Sequence, residues 1–249
     1  WSRDGAHADR VVVDSRIAAR APTSIPAAEA AALPLTLLTA WEGLFDRMAI
    51  TPGAAADGRT VLVIGGAGGV GSVVVQLAKA LMPGARVVAT ASRPETVEWV
   101  RGLGADEVVN HREPLRKGLA AVGAGDGADY VFCTANTDAY FATVADLLKP
   151  EGRAVFLLAP EEPQDIAPLF LKKASVSFEL MFVRPTLDGP TRQLQGDVLA
   201  RAAHMVDAGT LRSTASKTLE WGLEGFKEAF AAVRSGRGLG KVVVAKAAE

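Results

Sequence analysis

One glycine-rich segment constrains the fold of this chain more than any other feature of its 249 residues. Residues 61–81 read VLVIGGAGGVGSVVVQLAKAL, which is an apolar run, five closely spaced glycines and a second apolar run. The first run predicts a β-strand and the second predicts a helix, so the glycines lie at a strand-to-helix turn. A turn with the spacing Gly-x-Gly-x-x-Gly is the pattern that binds the pyrophosphate of a dinucleotide.

Residues 66–71 (GAGGVG) match this spacing, and each glycine has a predicted role. Gly66 permits the turn out of the strand, Gly68 lets the backbone approach a pyrophosphate, and Gly71 lets the helix pack on the strand. The helix that begins near Gly69 directs unpaired N–H groups and a positive dipole end toward the phosphates. The alternative is a glycine-rich turn without a ligand. A Walker A loop is excluded because no Gly-Lys-Ser/Thr follows.

The rest of the chain alternates between short apolar strands and helices. Residues 61–183 contain six predicted strands, of which the last covers residues 174–183. Such alternation predicts a parallel sheet covered on both faces, in the doubly wound α/β arrangement of the Rossmann type. Residues 8–14 (ADRVVVD) predict a strand with no partner in the following stretch. This strand and the non-methionine start lead us to expect that part of the protein is absent from the chain.

The overall composition excludes several classes of protein. The formal net charge of −1 gives no reason to expect a nucleic acid or an anionic membrane as partner. No apolar run is long enough to cross a bilayer, and the first residues do not read as a signal peptide. Cys133 is the single cysteine, and neither His7 nor His204 belongs to a metal-ligand pattern. We therefore expect a cytoplasmic protein without a disulfide or a metal site.

The residues after the second predicted strand indicate which dinucleotide binds. A carboxylate there would hold the ribose 2′-hydroxyl of NAD. The strand ends ATASRPE, and the hydroxyl of Ser92 with the guanidinium of Arg93 suits the 2′-phosphate of NADP. The alternative is that Ser92 and Glu95 form a capping box for the following helix, with Arg93 in solvent. We expect NADP(H) as the cofactor.

Four segments, taken in order, resemble one known family. They are LPLTLLTAWEGLFDRM, IGGAGGVGSVVVQLAKAL, ATASRPETVEWVRGLGADEVVNHRE and the closing GLGKVVV. Together they resemble the medium-chain dehydrogenase/reductase superfamily, and within it the quinone oxidoreductase branch and its zinc-type alcohol dehydrogenase-like members. The resemblance covers the chain from about residue 5 to residue 245.

The resemblance implies a division of the chain into three parts. Residues 1–38 would be the end of a GroES-like, β-rich catalytic domain, residues 39–208 an NADP-binding Rossmann domain, and residues 209–249 a return to the catalytic domain. Roughly the first quarter of a family chain would precede this sequence. The edge strand over residues 174–183 would pair with its copy in a second subunit, which gives a homodimer.

The predicted cofactor-binding positions comprise Gly66, which comes from the glycine motif, and a set of residues that the resemblance implies. Those at the adenosine and pyrophosphate end are Ser92, Arg93, His111, Gly66, Gly68, Gly69, Val70 and Gly71. Those along the groove and at the nicotinamide end are Asn136, Leu158, Ala159, Leu180, Met181 and Thr39. Relatives often have lysine where this chain has Arg93, so the positive charge is kept.

The sequence shows cofactor positions but no catalytic set, and the catalytic residues stay unknown. It contains no Gly-x-Ser-x-Gly motif, paired catalytic carboxylates or Ser/His/Asp arrangement. The resemblance implies NADPH-dependent, zinc-independent transfer of hydride to a quinone or an α,β-unsaturated carbonyl compound. Such a reaction depends on orientation more than on a protein acid or base. Two alternatives stay open: a zinc-dependent alcohol dehydrogenase and a non-catalytic NADP-binding fragment.

Overall fold

Strands and helices alternate along most of the computed structural model, which describes residue 8, residues 10–187 and residues 189–246. The strands are β1 (Thr60–Ile64), β2 (Arg86–Thr90), β3 (Glu107–Val109), β4 (Ala128–Cys133), β5 (Leu148–Phe156), β6 (Ser175–Phe178), β7 (Ala215–Glu220) and β8 (Lys241–Ala245). The helices are α1 (Ala27–Ala30), α2 (Pro34–Trp41), α3 (Gly69–Leu81), α4 (Pro94–Gly102), α5 (Leu115–Ala121), α6 (Thr137–Leu147), α7 (Ala167–Leu171), α8 (Gln193–Asp207) and α9 (Leu223–Arg234). A π-helical turn, Glu42–Arg47, continues α2.

The first six strands form one parallel sheet in the order β3-β2-β1-β4-β5-β6. The register runs from Thr60 opposite Arg86, where β1 meets β2, to Phe156 opposite Phe178, where β5 meets β6. This is the doubly wound order, in which the direction of winding reverses between β1 and β4. The predicted Rossmann-type α/β fold is therefore confirmed.

Two apolar cores cover the two faces of the sheet. Val61 and Val63 of β1 belong to a core that includes side chains of α2, α3, α4 and α8. Leu62 and Ile64 belong to a second core that includes side chains of α5, α6 and α7. Successive side chains of a strand point to opposite faces, so a strand that reads VLVI is buried along its whole length.

Two predicted strands differ from the structure. No strand forms over residues 10–14, where Val11 and Val13 are exposed, and Asp9 of the predicted strand lies outside the described residues. Among the described residues no strand lies beside residues 10–14. A strand forms only where its backbone groups can pair. The predicted edge strand over residues 174–183 is shorter, since β6 ends at Phe178. After this segment, a 3₁₀ turn over Pro190–Arg192 leads into α8 at Gln193.

The two ends of the described chain lie outside the large sheet. The backbone N–H groups of Thr23 and Ser24 donate to Asp207 Oδ1 at 2.8 and 2.9 Å, so the N-terminal segment is fixed to the end of α8. Strands β7 and β8 form a separate parallel pair. Helix α9, which joins them, has no buried residue. The predicted domain boundary after residue 38 falls inside α2.

Candidate cofactor site

The predicted cofactor residues follow successive strands of the sheet. Because all six strands are parallel, their carboxyl ends lie at one edge of the sheet, and ligands of doubly wound folds bind at that edge. His111 follows β3, Arg93 follows β2, and Gly68 follows β1. On the other side of the β1–β4 switch point, Asn136 follows β4 and Leu180 follows β6. The strand order thus places these residues along one edge of the sheet, from His111 on the β3 side to Leu180 on the β6 side.

The turn after β1 depends on Gly65, and not on Gly66 as the motif predicts. Gly65 has φ +80°, in the left-handed region, and its N–H donates to Thr90 Oγ1 at 2.9 Å. Gly66 is needed for close packing, because a Cβ there would lie 2.9 Å from Ala89 Cβ. The motif assigns the turn to Gly66, whereas in the structure Gly65 has the left-handed backbone conformation.

Three glycines of the turn are explained by packing within the protein. A Cβ on Gly71 would lie 2.2 Å from the carbonyl oxygen of Gly65, so the first turn of α3 lies directly against the β1 turn. A Cβ on Gly69 would lie 2.7 Å from Lys241 Cδ. Gly66 packs on β2 in the same way. These contacts account for the close approach of α3 to the sheet.

Gly68 is different from these glycines because the protein leaves space beside it. Its φ of −74° and ψ of 173° suit any residue, and the one heavy atom near an added Cβ is Gly65 O at 3.4 Å. Gly68 is the N-cap of α3, whose first backbone N–H groups have no partner within the helix. The open space at a helix N-terminus is the cradle that a phosphate group needs, so the residues present fit a dinucleotide.

A cavity of about 520 Å³ lies beside Gly68, between the ends of β1, β2, β3 and β4. Its lining residues all belong to the described part of the chain; three are arginines and none is an acid. They are Gly65, Ala67, Gly68, Thr90, Ala91, Ser92, Arg93, Thr96, His111, Arg112, Thr134, Ala135, Gly236, Arg237 and Gly238. The structure therefore brings together four predicted residues, namely Gly68, Ser92, Arg93 and His111. The volume is in the range of small-molecule pockets.

Arg93 lies at the mouth of this cavity and already has two partners. Its Nε donates to Glu95 Oε1 at 2.5 Å, and its Nη2 donates to the carbonyl of Arg237 at 2.7 Å. The capping box proposed for Ser92 and Glu95 does not form. The hydroxyl of Thr96 caps α4 instead, since it accepts from the N–H of Arg93 at 3.0 Å. Arg93 is therefore held at the end of β2 and is not a freely solvated side chain.

His111 lies beside two of the cavity arginines. Burial, and then the positive charges of Arg112 and Arg93, lower the pKa of His111 below its ordinary value of 6.5. The imidazole is accordingly neutral at physiological pH, where it offers one donor and one acceptor nitrogen. The cavity thus has a cationic surface made by arginine, with a neutral histidine on its β3 side.

The remaining predicted residues lie outside the cavity. Asn136 accepts from the N–H of Ala139 at 2.9 Å and caps α6. Leu158, whose carbonyl accepts from Thr137, is half exposed after β5, and Ala159 follows it. After β6, Leu180 is half exposed and Met181 is buried. The hydroxyl of Thr39 donates to the carbonyl of Leu35 within α2, and Val70 lies in the first turn of α3.

Sequence reasoning missed five polar side chains that line the cavity, namely Thr90, Thr96, Arg112, Thr134 and Arg237. Thr90 anchors the turn through Gly65, and Thr134 Oγ1 donates to the carbonyl of Ile64 at 2.9 Å. Arg237 comes from the loop before β8, and the N–H of Gly240 in that loop donates to the carbonyl of Ala67 at 2.9 Å. The glycine-rich run GRGLG over residues 236–240 was the available signal for a segment that lies against the first glycine loop.

Comparison with known proteins agrees with this geometry. The family model described as zinc-binding dehydrogenase matches residues 103–244, which is more than half of the chain. The chain belongs to the medium-chain dehydrogenase/reductase superfamily. The resemblance stated from the sequence motifs is confirmed.

Individual relatives cover different shares of the chain. A zinc-type alcohol dehydrogenase-like protein of Staphylococcus aureus is 40% identical over 220 residues, which are 88% of this chain and 65% of that protein. A crystal structure from Rhizobium etli, described as a candidate zinc-dependent alcohol dehydrogenase, is 43% identical with a TM-score of 0.84 and covers 95% of this chain and 69% of that one. A 2-methylene-furan-3-one reductase of Solanum lycopersicum is 40% identical over 107 residues, 43% of this chain and 26% of that protein.

The described residues show neither a cluster of metal ligands nor a membrane-spanning helix. No three His, Cys, Asp or Glu side chains among them lie together in a way that would hold a metal ion. None of the described helices has both the length and the apolar composition that a membrane span requires.

Proposed function

We propose that this chain binds NADP(H) along the carboxyl edge of its sheet and is the cofactor-binding part of a reductase. The observation that carries the proposal is the pairing of an open Gly68 with Arg93 in one cavity that has no acidic lining residue. A carboxylate at the end of β2 would repel a 2′-phosphate, whereas a guanidinium donates two hydrogen bonds to it. Arg112 and Arg237 add positive charge at the same end.

The two halves of the edge would hold the two halves of the cofactor. Ser92, Arg93 and His111 would contact the adenosine ribose and its phosphate, and the N–H groups at the start of α3 would contact the pyrophosphate. Leu158 and Leu180 would lie beside the nicotinamide. When bound, the cofactor supplies a hydride, and the protein supplies orientation and a surface from which water is excluded.

For the acceptor we propose an electron-poor carbon centre, in a quinone or an α,β-unsaturated carbonyl compound, reduced without zinc. The Solanum lycopersicum relative is named for an α,β-unsaturated ketone, which supports this class. The apolar residues at the nicotinamide end suit a substrate that needs positioning more than proton transfer from a side chain. The second candidate is NADP binding without catalysis, since the cavity beside Gly68 is formed by residues of this chain alone.

The test is NADPH binding and NADPH oxidation by the purified chain with quinones, enones, aldehydes and alcohols as acceptors or donors, together with zinc analysis. We expect NADPH binding, and oxidation with quinones or enones. Binding without turnover on any acceptor would support the second candidate. Activity confined to aldehydes or alcohols, in a sample that contains stoichiometric zinc, would overturn the proposed acceptor class.

We further propose that two copies of the chain pair through β6. Strand β6 lies at the edge of the sheet, and its outer side has no neighbouring strand among the described residues. Phe178 of this strand is 48% exposed, and unpaired edges with apolar side chains are normally covered. Sedimentation should give twice the chain mass of 25.9 kDa, and a mass of one chain at micromolar concentration would contradict the proposal.

A further inference from the structure

Two glutamates are buried together on the nicotinamide side of the sheet. Glu42, the first residue of the π-helical turn, is 1% exposed, and Glu179, directly after β6, is 3% exposed. The negative charge of Glu179 is close enough to act on the carboxyl of Glu42. We call Glu42, Glu179 and their shared neighbour Gln195 the acidic cluster. Buried carboxyl groups of this kind are rare unless they are paired.

Most atoms of the acidic cluster have partners, but one oxygen does not. Gln195 Nε2 donates to Glu42 Oε1 at 2.8 Å, and Arg47 Nε donates to Glu179 Oε2 at 2.8 Å. Arg184 Nη1 lies 3.4 Å from Glu42 Oε1. Glu179 Oε1 is buried and accepts no hydrogen bond from any described group. A proton on the neighbouring Glu42 would supply the donor that this oxygen lacks.

The protonation of Glu42 follows from its surroundings. Burial raises the pKa of Glu42 to about 7 against the hydrogen bond from Gln195 and the charge of Arg184, and the negative charge of Glu179 adds to the increase. A nearby negative charge disfavours ionisation of a buried carboxyl group. Glu42 therefore keeps its proton up to about neutral pH.

The acidic cluster is joined directly to the segment that we assign to the nicotinamide. Gln195 Nε2 donates to the carbonyl of Met181 at 2.8 Å as well as to Glu42. Glu179 is the residue before Leu180 in the chain. Thr39, the other residue implied near the carboxamide, lies one helical turn before Glu42. The cluster thus connects α2, the end of β6 and the start of α8 at one point.

We propose that Glu42, Glu179 and Gln195 are positioning residues that fix Leu180 and Met181 at the nicotinamide end of the groove, and that they do so only while Glu42 holds its proton. Loss of the proton leaves two carboxylates facing each other, and the segment that follows Glu179 shifts to separate them. This inference rests on the proposed NADP(H) site. It names residues that control how one half of the cofactor is held.

Other charged groups lie on the elements that carry or adjoin the acidic cluster. They are Asp46 and Arg47 on the π-helical turn, Arg184 after β6, Arg201 on α8 and Arg153 on β5. Arg184 also pairs with Asp46 at 2.8 Å, Arg201 lies 5.0 Å above the ring of Trp41, and Arg153 donates to the carbonyl of Met48. Arg47 and Arg184 carry two positive charges, and Glu42, Glu179 and Asp46 carry three negative charges when all are ionised. One proton therefore makes these five side chains neutral together.

The test compares NADPH with adenosine 2′,5′-bisphosphate, which has the adenosine end of the cofactor but no nicotinamide. Affinities for both are measured at pH 6.5 and 8.5, and the ratio of the two cancels titration of the 2′-phosphate and of His111. For the unmodified chain we expect NADPH to bind more tightly than the bisphosphate at pH 6.5, by a ratio that falls about fivefold at pH 8.5.

Two variants and one control complete the test. Glu42→Gln keeps a neutral group and its hydrogen bonds, so the ratio should stay at its pH 6.5 value at both pH values. Gln195→Leu removes the link to Met181, so the ratio should fall about tenfold at both pH values while bisphosphate affinity is unchanged. Glu224→Gln, on an exposed residue of α9, should behave as the unmodified chain. Circular dichroism identifies a variant that does not fold. If Gln195→Leu does not fold, the affinity ratios of Glu42→Gln and of the unmodified chain at the two pH values test the positioning role.

Each result separates this inference from the proposed function. A ratio that changes neither with pH nor in Glu42→Gln or Gln195→Leu overturns the positioning role. Binding of the bisphosphate with no tighter binding of NADPH also overturns it, while the NADP(H) site stands. Failure of the unmodified chain to bind either ligand overturns both proposals.

Discussion

The two ends of the proposed groove are built on different physical principles. At the proposed adenosine end, Arg93, Arg112 and Arg237 line an open cavity, where positive charge would select the ligand. At the proposed nicotinamide end, the carbonyl of Met181 accepts a hydrogen bond from the buried amide of Gln195, which also donates to Glu42. The adenosine end can change its specificity through one surface residue. The nicotinamide end depends on the packing of three elements, so a change there alters shape and stability together.

The glycine turn between the two ends gives the largest expected effect. Gly71→Ala places a Cβ 2.2 Å from the carbonyl of Gly65, and overpacking against backbone lowers the free energy of unfolding by about 2–4 kcal/mol. Gly68→Ala meets no such contact and should change the unfolding free energy by less than about 1 kcal/mol. It should nevertheless weaken NADPH binding by at least about tenfold, because the Cβ fills the open space. Urea unfolding and NADPH titration measure both effects.

A matched control for these variants is Gly102→Ala, at the end of α4. An added Cβ there has no heavy atom within 4 Å, and the backbone is not in the left-handed region. Stability should stay equal or increase slightly, and NADPH affinity should be unchanged. Normal NADPH binding by Gly68→Ala would show that the space beside Gly68 is not a phosphate site.

The next largest effect concerns Arg93 at the adenosine end. Arg93→Ala removes charge-assisted hydrogen bonds to the 2′-phosphate, so NADPH affinity should fall about 10- to 100-fold while NADH affinity changes less than about threefold. Arg101→Ala, on the exposed face of the same helix, serves as the control. Equal losses for NADPH and NADH would mean that Arg93 is a surface charge without a role in selecting the cofactor.

At the nicotinamide end, stability should depend on pH through Glu42. The pKa of Glu42 is raised from 4.5 to about 7 in the folded chain, so this contribution is fully present below pH 4.5 and is lost as the pH rises through 7. The loss should be on the order of 1–3 kcal/mol in the free energy of unfolding. Glu42→Gln should flatten this part of the pH profile. Urea unfolding of the unmodified chain and of Glu42→Gln between pH 4.5 and 8.5 measures this effect, and identical pH profiles would exclude the raised pKa of Glu42.

The smallest expected effect comes from the ion pair that Arg93 makes without a ligand. Glu95 accepts from Arg93 at 2.5 Å and would compete with a 2′-phosphate for the guanidinium. Glu95→Gln should therefore tighten NADPH binding about two- to fivefold, which is the range of an exposed ion pair. Glu98→Gln, on the same helix, should leave NADPH affinity unchanged. Weaker NADPH binding by Glu95→Gln would show that Glu95 positions Arg93 and does not compete with the ligand.

The two ends also differ in how far the sequence reveals them. The strand–helix alternation and the residues after β2 are local patterns, so the Rossmann-type sheet and the position of Arg93 follow from reading short segments. The presence of Arg237 in the cavity does not follow from a local pattern, because Arg237 lies far from the glycine turn in the sequence. The partnership of Glu42 with Glu179 is equally invisible, since each residue alone reads as an ordinary surface acid.

Smaller differences have local causes. The glycine motif assigns the turn to Gly66, while the hydrogen bond of Gly65 to Thr90 fixes the left-handed residue one position earlier. The segment after Phe178 reads as a continued strand, but β6 ends at Phe178, and the side chain of Glu179 is buried and paired with Arg47 at 2.8 Å. In both cases a contact with a distant residue decides between conformations that the local sequence permits.

The selection of NADPH over NADH by the unmodified chain tests the central claim most directly. Each cofactor is titrated into the chain at the same salt concentration, and binding is measured by fluorescence. The two titrations give the ratio of the two affinities. The cationic cavity beside Gly68 predicts that NADPH binds at least about tenfold more tightly than NADH. Equal affinities, or tighter binding of NADH, would contradict the assignment of the cavity to the 2′-phosphate end of the cofactor.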